Sequence, residues 1–325
     1  MIGIDVGGAN LKIVDDAGVH IRYCPLWKES PLADLLAEFK GDDAAIVMSG
    51  ELADGFFNKG DDAAVVMSGE LADGFFNKQE GISFIVDAVK KSFPNAVFYG
   101  MDGNFHKEAC HELAAANWLA SVACLKKQYP NGMMLDIGST TADIVPFSGF
   151  EKLIGMTDTL RLQAGYLVYT GMLRTPVATL ASSAVVNGIP TPFSTEYFAC
   201  SGDAHFVLGN ISADEYTAAT PDGKEVSREA CLRRLSRTVC ADLEEIGEDG
   251  AVSIAEAFCA AQKKLVCDAV SRVKEESGAD TILVGGIGSK TFAPYVEGID
   301  LTAELQIPAD ALPAYAVREL ARGIF

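Results

Sequence analysis

The chain has 325 residues, enough for two domains with cores of their own, and 49% of it is hydrophobic, an ordinary share for a globular protein. Its 45 acidic against 26 basic residues give a formal net charge of −19, an envelope that repels nucleic acid and anionic membrane surfaces. No stretch approaches the roughly 18 uninterrupted apolar residues of a membrane span, a strand begins at Met1 where a targeting peptide would stand, and the eight cysteines are scattered without a C-x-x-C. The expectation is a cytoplasmic protein with reduced thiols, in which a phosphorylated small-molecule ligand would need local N–H dipoles, cations or a metal to outweigh the acidic field. No nucleic-acid or membrane partner is expected, and a homo-oligomer is compatible with all of this.

Residues 1–24 read as a three-strand meander: Ile2 to Val6, Leu11 to Val14 and Val19 to Cys24, turned at Gly7-Gly8 and at Asp15 to Gly18. Ser30 caps a helix from Pro31 to Phe39 with proline in its first turn. Residues 41–59 and 60–78 then form a tandem duplication whose copies differ only at Ile46 against Val65. Two copies are too few for a solenoid. Each offers one strand, Ala44 to Met48 or Ala63 to Met67, to a sheet with one slot for it. Isoleucine over valine is worth about 0.5–1.5 kcal/mol in a core, which barely decides the contest. The second copy runs straight into a helix from Glu80 to Ser92, so Ala63 to Met67 is predicted to take the slot and the first copy to be an excursion.

A strand from Ala96 to Tyr99 and a long helix from His106 to Gln128 close the first half. The turn Tyr129-Pro-Asn-Gly132 divides a domain of residues 1–130 from one of residues 131–325. The second half opens on a strand from Met133 to Leu135, an acidic exit at Asp136, a turn through Gly138, Ser139, Thr140 and Thr141, and a strand through Ile144 and Val145. A third strand, Gly149 to Ile154, precedes a mixed region, Asp158 to Ala181, that holds Arg161 and Arg174. Residues 184–224, rich in Gly, Pro, Thr and Ser, read as an inserted loop region. Helices from Arg228 to Ile246 and Ser253 to Ser277, a strand from Thr281 to Val284 ending at Gly285-Gly286, and a helix from Ala309 to Gly323 complete the chain. This order predicts an α/β protein of two mixed-sheet halves flanked by helices. His106, Cys110 and His111 do not read as a metal site, because on a helix His111 points about 100° away from Cys110 and no fourth ligand is in view. Trp27 and Trp118 read as core or cleft-wall aromatics, and His205 as a loop residue.

Two stretches share one grammar. Asp5-Val-Gly-Gly-Ala-Asn10 and Asp136-Ile-Gly-Ser-Thr-Thr-Ala-Asp143 each run from an apolar strand through an acid and a glycine turn into small polar residues and a second strand, about 130 positions apart. A glycine turn leaves backbone N–H groups pointing outward, the geometry of an anion nest. A carboxylate beside it fits a divalent cation bridging to phosphate oxygens. Either turn alone is also compatible with an ordinary hairpin. The pair points to phosphate and to related halves facing each other across a cleft. Gly285-Gly286, where a strand meets a helix, is a third such signal, whereas P-loop and dinucleotide fingerprints are absent.

These three segments resemble the two phosphate loops and the adenosine loop of the actin-like ATPase and sugar kinase superfamily, built from ribonuclease-H-like halves. Asp136 to Asp143 resembles the hydantoinase/oxoprolinase branch in particular. Ser68-Gly-Glu-Leu-Ala-Asp73, Leu162 to Gly171 with Arg174-Thr-Pro176, and Glu196-Tyr-Phe-Ala199 are similar to a short archaeal group of that branch. That group includes an ether-forming step of methanofuran biosynthesis. The resemblance implies a transferase that joins the phenol of γ-glutamyltyramine to a furan-methyl diphosphate and releases diphosphate. It implies Mg²⁺ or another divalent cation on Asp5 and Asp136. Diphosphate would be held by Gly7, Gly8, Asn10, Lys12, Gly138, Ser139, Thr140, Thr141, Arg161, Arg174, Gly285 and Gly286. Glu70 is the first candidate for the base that takes the phenol proton, and Asp143 the second. Asn10 stands where kinases of the superfamily carry Thr or Ser, and the chain is shorter than hydantoinases or oxoprolinases. Both departures count against the alternative, an ATP-dependent kinase or amidohydrolase.

Overall fold

The computed structural model describes residues 1–26, 30–39 and 62–323. The first repeat copy, including the strand Ala44 to Met48, lies outside the described residues, as does Trp27.

The chain forms two compact units. The first comprises Met1–Pro130, Gly149–Asp158 and Ala311–Phe325. Its strands are β1 (Ile2–Val6), β2 (Asn10–Val14), β3 (Val19–Tyr23), β4 (Ala63–Met67), β5 (Val97–Tyr99) and β6 (Phe105–His106). They lie in the order β3-β2-β1-β4-β5-β6. The meander β1–β2–β3 is antiparallel, whereas β1–β4 and β4–β5 are parallel. All five residues of β4 are buried, the unbroken apolar run expected of a parallel strand covered on both faces. The second repeat copy therefore fills the slot, with Val65 opposite Ile4. The helix that follows it directly is Lys78–Ser92, capped by Asn77, whose side chain accepts from the Glu80 N–H.

The second unit comprises Asn131–Ser148 and Thr159–Asp310. Its main sheet contains β7 (Gly132–Ile137), β8 (Ala142–Pro146), β9 (Leu167–Val168), β12 (Thr281–Gly285) and β13 (Ile299–Asp300). A separate hairpin joins β10 (Ser183–Val186) to β11 (Ile189–Pro192). Traced as β9-β8-β7-β12-β13, the main sheet repeats the order and strand directions of β3-β2-β1-β4-β5. The fold class read from the sequence, two mixed sheets flanked by helices, is thus present, with the same topology in each unit.

Several sequence expectations need correction. A linear division at residue 130 fails, because the last helix, Leu312–Arg322, belongs to the first unit. Gly3 is the reason this helix can lie so close to β1: a Cβ there would stand 2.0 Å from the Ala314 carbonyl oxygen. Arg318 secures the contact by donating to the Met1 carbonyl and pairing with Asp16. The single helix expected over 106–128 is instead β6, a short turn at His111–Leu113 and a helix, Asn117–Leu125. Local propensity was outweighed by burial, since the successive residues Leu113, Ala114, Ala115 and Ala116 are all inside and Ala115 takes φ +49°. The strand expected at 149–154 is a single 3-10 turn, Phe150–Lys152. Residues 184–224 are no excursion. Ala184, Val186, Ala199, Cys200, Ala204, Val207, Ile211 and Tyr216 all enter the core of the second unit. The long helix of that unit, Leu243–Ser277, starts earlier than predicted and is broken at Gly247 (φ +69°).

Candidate active site

Both glycine turns close the same way. In the first unit the Gly7 N–H donates to the Asn10 carbonyl at 3.0 Å, and in the second the Gly138 N–H donates to the Thr141 carbonyl at 2.9 Å. The turn carbonyls point inward: Gly8 and Ala9 accept from Leu26 and Cys24, while Gly138 accepts from Met172 and Ser139 from Leu173 and Arg174. Among the described residues no carbonyl or side chain takes up the N–H groups of Gly8, Ala9, Ser139 or Thr140. Donors that point away from the fold in a tight turn are what an anion nest requires.

The charges behind the two turns differ. Register sets Asp5 opposite Lys12 and Asp136 opposite Asp143, so the same cross-strand position is basic in one unit and acidic in the other. Lys12 Nζ lies 3.4 Å from Asp5 Oδ2, and Asp5 is buried. Like charges directly opposite destabilise a sheet, and Arg161 offsets them: its guanidinium pairs with Asp143, both being buried. Asp143, the second base candidate, is therefore committed to an ion pair, and so is Arg161, expected on diphosphate. Gly285 lies beside Asp136 in the parallel register. Gly286 (φ +76°) approaches so closely that a Cβ would meet Asp136 Oδ1 at 2.5 Å and the Ile137 carbonyl oxygen at 2.4 Å. The second unit thus brings together Asp136, Gly138, Ser139, Thr140, Thr141, Gly285 and Gly286, with Arg174 tied to Ser139 by its backbone. The first unit gathers Asp5, Gly7, Gly8, Asn10 and Lys12. Among the described residues no cluster of three or more His, Cys, Asp or Glu could hold a metal alone. A cation at Asp136 would take further ligands from phosphate and water, as Mg²⁺ commonly does.

Glu70 is the chemically distinctive group. It stands in the loop after β4, where Gly69 packs so tightly that a Cβ would lie 2.9 Å from the Gly7 carbonyl oxygen, which puts this loop against the first glycine turn. Gly81 admits the Glu70 backbone equally closely. Glu70 is 1% exposed, and among the described residues its Oε2 has no hydrogen-bond partner. Burial pushes its pKa up to about 7, with Asp158 adding in the same direction; its own N–H, Lys78 and the Ala115 N–H pull it down. Ala115 holds the unusual positive φ noted above, so backbone strain sits beside this carboxyl. A carboxyl tuned toward neutrality is what general-base work at physiological pH calls for.

The sequence reading missed a buried polar cluster in the second unit. His205 is no loop residue but fully buried in a helix, Ser201–Val207, and burial lowers its pKa to about 4. Its ring contacts Gln262 Oε1 at 2.7 Å and Asn210 Nδ2 at 3.0 Å. Gln262 had a readable signal: it is the polar position in an apolar stripe of the long helix, with Ile254, Ala255, Phe258, Val266, Val270 and Val273.

A protein-family model described as hydantoinase/oxoprolinase matches residues 61–318, taking in the second repeat copy and not the first. The chain is 32% identical over 338 aligned positions to the (4-{4-[2-(gamma-L-glutamylamino)ethyl]phenoxymethyl}furan-2-yl)methanamine synthase of Methanocaldococcus jannaschii, covering 98% of this chain and 97% of that protein. It is 33% identical over 177 positions to the synthase of the same name from Methanococcus vannielii, covering 54% of this chain and 80% of that protein. Nucleotide-free acetone carboxylase superposes on 97% of this chain with a TM-score of 0.50, 69% of that protein being covered, at 11% identity, a likeness of fold alone.

Proposed function

The chain belongs to the hydantoinase/oxoprolinase family, and from that membership we propose that it is a transferase of methanofuran biosynthesis. It forms the aryl ether between the phenol of γ-glutamyltyramine and the methyl carbon of an aminomethylfuran-methyl diphosphate. The observation that carries this reading is identity over nearly the full length with a synthase whose named product contains that phenoxymethylfuran ether.

In the reaction the C–O bond to diphosphate breaks, diphosphate departs with the electron pair, and the phenol oxygen bonds to the carbon as its proton leaves. The chain must hold the departing charge and accept the proton. The outward N–H groups of the Gly138–Thr141 turn bind phosphate oxygens, and Arg174 adds a cation where its backbone meets Ser139. Glu70 takes the phenol proton, since its buried carboxyl, whose Oε2 has no partner among the described residues, is an acceptor of raised basicity. A phenol with a pKa of about 10 loses its proton more readily as the C–O bond to carbon forms. Mg²⁺ or another divalent cation, held through Asp136 with Asp5 serving the first turn, would supply Lewis-acid assistance to the leaving group.

Purified protein incubated with the furan diphosphate and γ-glutamyltyramine should release pyrophosphate and ether in equal amounts. Absence of release across Mg²⁺, Mn²⁺ and Co²⁺ would sink the reading. ATP is not needed for this balance, and calorimetry showing tight ATP binding without ether formation would turn the reading toward the ATP-dependent alternative.

A further inference from the structure

We infer that Gln262, Thr170 and Thr175 are positioning residues for diphosphate, fixing the strap 170–175 that clamps the Gly138–Thr141 turn. This inference rests on the assignment of that turn to the leaving group.

The strap meets the turn at three carbonyl contacts, from Met172 to Gly138 and from Leu173 and Arg174 to Ser139, at 2.9 to 3.0 Å. At its start Gly171 lies so close that a Cβ would stand 2.5 Å from the Thr140 nitrogen. A shift of the strap therefore moves the turn's outward N–H groups, and it moves Arg174 as well.

Polar contacts to the rest of the second unit hold the strap's first residues. Gln262 Nε2 donates to Thr170 Oγ1 and to the Gly171 carbonyl, both at 2.9 Å. Thr170 Oγ1 and Thr175 Oγ1 are 3.2 Å apart, the Gly171 N–H donates to Thr175 Oγ1, and the Thr175 N–H donates to Ser201 Oγ. All these side chains are buried. The direction of the network is set from its far end. Asn210 Nδ2 can only donate, so His205 Nδ1 accepts, His205 Nε2 carries the proton, and Gln262 Oε1 receives it. That leaves both amide protons of Gln262 for the strap. A buried network in which each member is satisfied holds one geometry, because any other leaves polar groups without partners.

The test uses the full chain and inorganic pyrophosphate with Mg²⁺ as the calorimetric probe, followed by steady-state kinetics. Thr170→Val and Gln262→Met should each weaken pyrophosphate binding about tenfold or more, the equivalent of about 1.4 kcal/mol. Thr170→Ser, which keeps the hydroxyl, should stay within about twofold. KM for the furan diphosphate should rise in the first two variants while KM for the phenol holds. Wild-type binding in both Thr170→Val and Gln262→Met overturns the inference, as does an equal change in both substrate constants or a Thr170→Ser variant no better than Thr170→Val. If one variant fails to fold, the other with Thr170→Ser still decides. A wild-type protein that binds pyrophosphate yet makes no ether defeats the functional reading and leaves the binding arm to judge the strap. One that does not bind pyrophosphate at all defeats both.

Discussion

Replacing Glu70 by glutamine should make the protein more stable and less active, with both effects dependent on pH. Glutamine keeps the shape of the side chain and cannot ionise. In the unfolded chain the carboxyl titrates near 4.5, and in the fold burial raises this to about 7. The folded state therefore binds the proton more tightly, and the sign follows. Below about pH 4.5 the group is neutral in both states and costs nothing. Between the two values stability falls as pH rises, and above about 7 the full penalty, about 3 kcal/mol, is present. Glu70→Gln removes it. At pH 8 the variant should melt about 5–10 °C above the parent, by the usual conversion for a unit of this size, and the gap should close toward pH 5. The wild-type kcat/KM should rise with pH through about 7, and the variant should lose about 10²–10⁴ in rate together with that limb. Calorimetric melts at the two pH values and a pH–rate profile read both. An equal gain in melting temperature at pH 5 and pH 8, or activity within a few-fold of the parent, would refute the assignment of a buried, ionising base.

Glu51→Ala, at the first-copy counterpart of Glu70, should leave activity and melting unchanged, because Ala63–Met67 holds the sheet position; an activity loss matching that of Glu70→Ala would reverse the assignment. Gly286→Ala should cut kcat/KM at least tenfold and cost about 1–2 kcal/mol, since an L side chain at φ +76° is strained and its Cβ would push on Asp136 Oδ1; urea melts and turnover check it. Asp143→Ala should destabilise the chain by removing a partner of a buried guanidinium, whereas Asp143→Leu combined with Arg161→Met should recover much of that in chemical denaturation.

What the sequence determined on its own is local. The strand–acid–glycine–strand stretches at Asp5 and Asp136 were legible because their turns close over three residues and need nothing from elsewhere. The choice of Ala63–Met67 over its duplicate followed from connection to the next helix, and the apolar runs at Ala63–Met67 and Thr281–Val284 announced strands, whose parallel pairing only the structure shows. The tertiary structure decided everything that depended on distant partners. Lys12 and Arg161 read equally well as phosphate ligands, yet register and burial set them against Asp5 and Asp143. The end of the chain joined the first unit because Gly3 leaves room for a helix that no short-range signal places there. Glu70 was already the first candidate base in the sequence, but its raised pKa came only when the loop after β4 packed against Gly7 and Ala115 and withdrew its carboxyl from water. A residue's type fixes what it can ionise to or donate; its pKa and its partners are set by desolvation and neighbours, which exist only once the fold has closed.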